Sequence, residues 1–235
     1  MKNLAPPSIQ KLPAARGLAW LAGSWGLIKR QPIRLLLIGL FFQFFLSLSQ
    51  MQTIGLLIVI SLPILSAGML HAFFMVEQNE KPMLAVLFMP LVARKGVSSL
   101  LLLGAIVIVL SLLFVSFSLA GPMMQIDPEI LSRIEQGDLA AIQLVDPQVL
   151  ENAVLALAIG AAISGCITYF AIPLIWFRRL GVGRALLMGL RGMGRNWKPL
   201  LVIGVLLGIL AVPIVLLFAS LYLSALSDGG SSPLL

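Results

Sequence analysis

"RRLGVGRALLMGLRGMGRNWKPLL", Arg178 to Leu201, holds six of the chain's sixteen lysines and arginines, five glycines and no acid. Uncharged runs flank it, Val154 to Phe177 before and Leu200 to Leu223 after. A basic island between two apolar runs is the pattern of a short cytoplasmic loop joining membrane spans, because lysine and arginine collect on the cytoplasmic side.

Composition supports that reading. The chain has 235 residues, of which 60% are hydrophobic and only 11% charged, and its mean hydropathy is +1.05. A soluble domain carries about 25% charged residues, so this chain calls for lipid as its solvent. The length suits one membrane domain. The pI near 10.2 would fit nucleic acid only if the basic residues shared one solvated face.

Five apolar stretches follow one another: 33–49, 53–75, 97–120, 154–177 and 200–223. A bilayer core takes about 20 helical residues, which the last four supply. The first is shorter, contains Gln43, and is parted from the second only by Gln50-Met51-Gln52. The pair reads as a tight helical hairpin, with a re-entrant loop as the competing reading. The expected fold is all-α, a polytopic bundle of five spans with amphipathic helices on the cytoplasmic side. Residues 1–32 would be a cytoplasmic segment with an interfacial helix, and 33–224 the membrane domain. Residues 225–235 would be an outer tail or the start of a sixth span. No secretory signal is expected at the N-terminus, since three prolines interrupt the segment before Leu18.

With the N-terminus inside, fifteen of the sixteen basic residues fall in the inner segments 1–34, 76–96 and 178–199, and only Arg133 falls outside. Seven of the nine acids fall outside. The inner segments then carry +13 and the outer −6, which returns the net +7. The charge is a topology signal and nucleic acid is not an expected partner. The expected location is a bacterial inner membrane, with loop 121–151 periplasmic and the basic surface against anionic lipid.

On a helix from Gly183 to Trp197, Arg184, Arg191 and Arg195 share a narrow arc opposite Leu186, Leu190, Met193 and Trp197. This predicts an amphipathic helix in the interface. Arg178, Arg179, Arg184, Arg191, Arg195, Trp197 and Lys198 are the candidate lipid-headgroup residues. Arg16–Arg30 and Pro82–Ala93 repeat the unit, each ending in basic residues before a span. Prolines in the returning stretches 61–74 and 169–179 complete a weak internal repeat; chance likeness of apolar segments is the alternative.

"WGLIKRQPIRLLLIGLFF" (25–42), "LPILSAGMLHAFF" (62–74), "FAIPLIWF" (170–177) and "RNWKPLLVIGVLLG" (195–208) resemble recurring segments of an uncharacterised family of proteobacterial multi-pass inner-membrane proteins of unknown function. The resemblance covers most of residues 14–210. It implies a multi-pass fold, with a sixth span usual in such proteins, and no activity.

In loop 121–151, Asp127-Pro128-Glu129 predicts a capped helix ending at Gly137, Asp138–Val145 a short second turn, and Asp146-Pro147 the start of the next helix. Ile130, Ile134, Ile142 and Val145 are expected to pack on the spans. Chemistry-bearing residues are few. His71 is the only histidine and Cys166 the only cysteine; each reads as a packing residue. No catalytic, cofactor or metal site is expected, and no enzyme activity. Gly160, Ser164, Gly165, Gly204 and Gly208 form small-xxx-small faces for helix packing or a homo-oligomer. Three functions stay open: an accessory, scaffold or assembly protein with a membrane-protein partner; a carrier or channel for a lipid or small neutral solute; and an enzyme acting on lipid.

Overall fold

The computed structural model describes residues 9–51, 53–94 and 96–229; the side chains at 139, 161–164, 166, 167, 219, 222, 223 and 225–229 lie outside that description. Among the described residues all regular structure is helical. The order is α1 (Arg16–Arg30), α2 (Pro32–Leu48), α3 (Gly55–Glu77), a 3-10 helix (Leu84–Phe88) running into α4 (Met89–Ala93), and α5 (Val97–Met123). Then come α6 (Pro128–Glu135), a second 3-10 helix (Leu139–Leu144), α7 (Pro147–Arg178), α8 (Val182–Arg195) and α9 (Trp197–Gly229).

Among the described residues, three helices are long and apolar enough to cross a membrane: α3, α5 and Trp197–Phe218 of α9. A fourth is added if α1 and α2 count as one broken span. Among the described residues the number is therefore three to four, and the expected five spans are not confirmed. α2 has 17 residues, about 25 Å of helix against a core of about 30 Å. In α7 the described apolar part, Pro147–Gly160, is one of the shorter segments, and the remainder of the predicted span 154–177 includes side chains outside the description.

The chain forms two compact units, 30–191 and 1–29 with 192–235. In the larger, α2 packs on α3, α3 on α5, and α5 on α7. Its core joins Ile64 and Ala67 of α3, Leu100 and Leu103 of α5, Ile172, Ile175 and Trp176 of α7, and Val182 and Ala185 of α8. Two glycines permit the close approaches. A Cβ on Gly104 would overlap the backbone of Ile60, and one on Gly68 the backbone of Leu87. In lipid, where apolar contact alone favours no helix pair, such small residues supply the van der Waals contact that does.

Pro82–Ala93 departs from the expected amphipathic helix. It starts as a 3-10 helix, and Val86, Leu87 and Pro90 are buried. Pro82 and Pro90 interrupt continuous α-helix, and Gly68 lets the segment settle on α3 with Val86 and Leu87 covered while Leu84 and Leu91 stay exposed.

The loop before α7 follows its caps. Asp127 Oδ1 accepts the Glu129 N–H at 2.8 Å and Asp146 Oδ1 the Gln148 N–H at 2.8 Å. Gly137 turns the chain at φ 88°. Arg133, the lone outer cation of the charge count, donates to Asp138 at 2.7 Å. That hydrogen bond holds the exposed Asp138 carboxyl below its ordinary pKa. Ile130, Ile134, Ile142 and Val145 were expected to pack as one set on the spans. Instead α6 packs on the neighbouring 3-10 helix; Val145 is buried while Ile142 is exposed. A loop of this length closes on itself once Asp127 and Asp138 fix its two turns.

Candidate membrane-interface site

α8 forms where the spacing of its arginines predicts it. Arg184, Arg191 and Arg195 are exposed on one flank. The other flank differs from expectation. Val182, Ala185 and Gly189 are the buried residues, and a Cβ on Gly189 would stand 3.1 Å from the Cβ of Phe170 in α7. Leu186 packs against the core cluster, whereas Leu187 and Leu190 are about half exposed, at 49% and 50%. The apolar side is thus divided. One edge grips α7 and the other, with Leu187 and Leu190, adjoins the arginines. Small residues at 185 and 189 let α8 lie close on α7, which periodicity does not reveal.

The end of α7 supplies two more of the candidate residues. Arg178 is its last helical residue, and Arg179 caps it in the left-handed region at φ 57°. The Arg179 guanidinium lies 4.9 Å from the ring centre of Trp176. A Cβ added to Gly96 would lie 3.6 Å from its Nη1, so the turn before α5 reaches the same place. Arg94 stands in that turn, also left-handed at φ 49°. Lys95 between them is outside the described residues. In the smaller unit, Lys198 Nζ lies 5.7 Å from the Trp197 ring and Lys29 Nζ 5.6 Å from the Trp25 ring. Three of the four tryptophans therefore carry a cation over the ring, each such contact contributing about 0.5–1 kcal/mol where exposed. An indole with its own cation suits the headgroup layer, where one end is apolar and the other wet.

Asn196 separates α8 from α9 and was not singled out in the sequence. Its Oδ1 accepts the Leu12 N–H at 2.8 Å, and its Nδ2 donates to the Gln10 carbonyl at 2.9 Å and to the Gly192 carbonyl at 3.1 Å. One amide thus holds an extended piece of the N-terminal segment to the helix junction. Gly17 reinforces the contact, since a Cβ there would lie 2.6 Å from the Pro199 carbonyl oxygen. Pro199 sits in the first turn of α9, where a missing N–H costs little. The legible signal was a lone amide between Arg195 and Trp197, ahead of that proline.

The packing residues part company. Gly160 faces the ring of Phe114 in α5. Gly165, Gly204 and Gly208 have nothing within 4 Å of where a Cβ would stand, so their sides are open in the single chain. The side chains of Ser164 and Cys166 are outside the description. His71 stands in an aromatic group, its ring centre 5.8 Å from Trp176, 6.0 Å from Phe74 and 6.5 Å from Phe177. Among the described residues, no three His, Cys, Asp or Glu side chains come close enough to hold a metal ion.

Comparison with protein-family models, with curated proteins and with solved structures finds no match to this chain. Its chemistry is read from its own residues: cation-bearing tryptophans in each unit and an exposed stretch of α9 from Leu207 to Phe218.

Proposed function

We propose that the protein is an accessory, scaffold or assembly component of a bacterial inner membrane, without catalytic activity. In this reading all five apolar segments lie in the membrane, the N-terminus is cytoplasmic, and loop 121–151 is periplasmic. The basic surface of α8 and its neighbours rests on anionic lipid. The observation that carries the reading is α9. From Leu207 to Phe218 every residue of this helix is exposed, and Gly204 and Gly208 leave one side flat enough for another helix to approach. A helix anchored at one end by Gly17 and exposed from Leu207 to Phe218 is suited to a membrane-protein partner.

A photo-crosslinking residue at Leu210 or Leu217 should give discrete protein adducts in intact membranes. Adducts to lipid alone would refute the partner. A periplasm-active reporter fused after Gln136 should be active, and one fused after Met89 or Gly192 inactive. The reverse pattern would overturn the orientation.

The carrier reading, for a lipid or small neutral solute, has one observation in its favour. α3, α7 and α9 each hold a proline in mid-helix, Pro63, Pro173 and Pro213, as the broken helices of transporters do. Solute movement into vesicles containing the purified protein alone would favour it.

A further inference from the structure

α3 and α5 are antiparallel neighbours with a fixed register. The contact of Gly104 with Ile60 sets it, and the pairing of Ile64 and Ala67 with Leu100 and Leu103 in one cluster agrees. Beyond that contact α3 has five residues left before its first, Gly55, whereas α5 continues for nineteen, to Met123. The difference is about 20 Å of helix. α7 runs alongside the outer part of α5, as Gly160 against Phe114 shows. At the other end, Gly96 meets Ile175 and Arg179, so Arg94, Arg178 and Arg179 mark the inner limit of the α5–α7 pair. Gly55 therefore stands level with the middle of the apolar stretch 97–120.

We infer that α2 and α3 form a re-entrant hairpin whose turn, residues 49–54, lies within the apolar layer and not at its outer surface. The inference rests on α5 and α7 crossing the membrane, as in the reading above. α3 is long enough to span by itself; its register with α5 decides against it. Sliding the bilayer inward until the turn reached the far surface would draw Arg94, Arg178 and Arg179 into the core, where a charged side chain is costly. It would also leave the outer parts of α5 and α7 in water. Leu112, Phe117, Val154 and Leu155 are each more than half exposed there, and wetting this apolar surface is unfavourable in proportion to its area.

The turn is built to tolerate lipid depth. The N–H groups of Ser49, Gln50 and Met51 bond to Leu46, Ser47 and Leu48 carbonyls at 3.1–3.2 Å, and Gly55 N–H bonds to Met51 at 2.7 Å. The Ser47 and Ser49 hydroxyls donate back to the Phe44 and Leu46 carbonyls at 2.8 and 2.6 Å. Backbone groups paired within the segment in this way lower the cost of lying in the apolar layer.

The test measures depth directly. In a Cys166→Ser background, bimane is attached to Met51→Cys, Val109→Cys, Phe117→Cys or Gln136→Cys in the full chain, reconstituted in bilayers. Lipids with nitroxides at defined chain carbons then report the depth of each probe. The probe at Met51 should lie as deep as that at Val109 and deeper than that at Phe117. A Met51 probe at the depth of Phe117 or shallower would overturn the re-entrant hairpin. Failure of both Val109 and Phe117 probes to meet lipid would instead refute the membrane placement of α5, on which the inference stands.

Discussion

Gly104→Leu and Gly68→Leu should each lower the thermal stability of the detergent-solubilised protein sharply, whereas Gly204→Leu and Gly208→Leu should leave it close to the parent. All four are equally apolar changes, so hydropathy does not separate them. At Gly104 and Gly68 the new Cβ would overlap the backbone of Ile60 and Leu87, which has no rotamer to give. Overpacking of this kind costs about 1–3 kcal/mol where side chains yield, and backbone overlap belongs at the upper end or beyond. At Gly204 and Gly208 nothing lies within 4 Å of the added atom. Gly160→Leu is intermediate, because the ring of Phe114 can rotate away. Size-exclusion profiles after heating a fluorescent fusion supply the readout. Equal loss at Gly204 and Gly104 would mean that α9 is packed as closely as α5. With crosslinking at Leu210, selective loss of the adduct in Gly204→Leu places a partner on that side.

Replacing Arg184, Arg191 and Arg195 together with glutamine should weaken retention of anionic lipid by roughly a hundredfold, since each cation near the headgroups contributes about 1 kcal/mol and 1.4 kcal/mol is tenfold. The loss should be largest at low salt, where screening is weakest. The helix itself should persist. Val182, Ala185 and Gly189 are buried on the side opposite the arginines, with Gly189 against Phe170 of α7, so charge and docking are separable. Orientation should persist too, because Arg94, Arg178, Arg179 and Lys198 remain beside the spans. Trp197→Ala gives the complementary change: the charge is kept and the indole beneath the Lys198 ammonium is lost. Lipid that co-purifies from mild detergent, measured by mass spectrometry, decides the outcome. Unchanged lipid with a lost protein adduct would make the arginine flank a docking surface and not a headgroup surface.

The sequence by itself determined where chains of apolar residues become helices. Asp127-Pro128 and Asp146-Pro147 start helices because an aspartate caps the free amides and proline needs none; both do so in the structure. The arginines of α8 share a flank because 3.6 residues make a turn, and that follows from spacing alone. The same periodicity left open which apolar flank meets protein. Leu186 and Leu190 looked equivalent, yet one packs on the core and the other is exposed, because only the flank with Ala185 and Gly189 is small enough to seat on α7. Among glycines, Gly204 and Gly208 carried the recognisable spacing but have open sides, while Gly68 and Gly104 carried no motif and hold the bundle together. Asn196 gave no periodic signal, and its partners, Gln10 and Leu12, lie more than 180 residues away in the chain. The register of α3 along α5 was likewise decided by tertiary structure. Length and hydropathy admit α3 as a full span, but lipid and neighbouring helices are equally apolar surroundings, so composition does not fix how far one helix slides along another. The close contact of Gly104 with Ile60 fixes it.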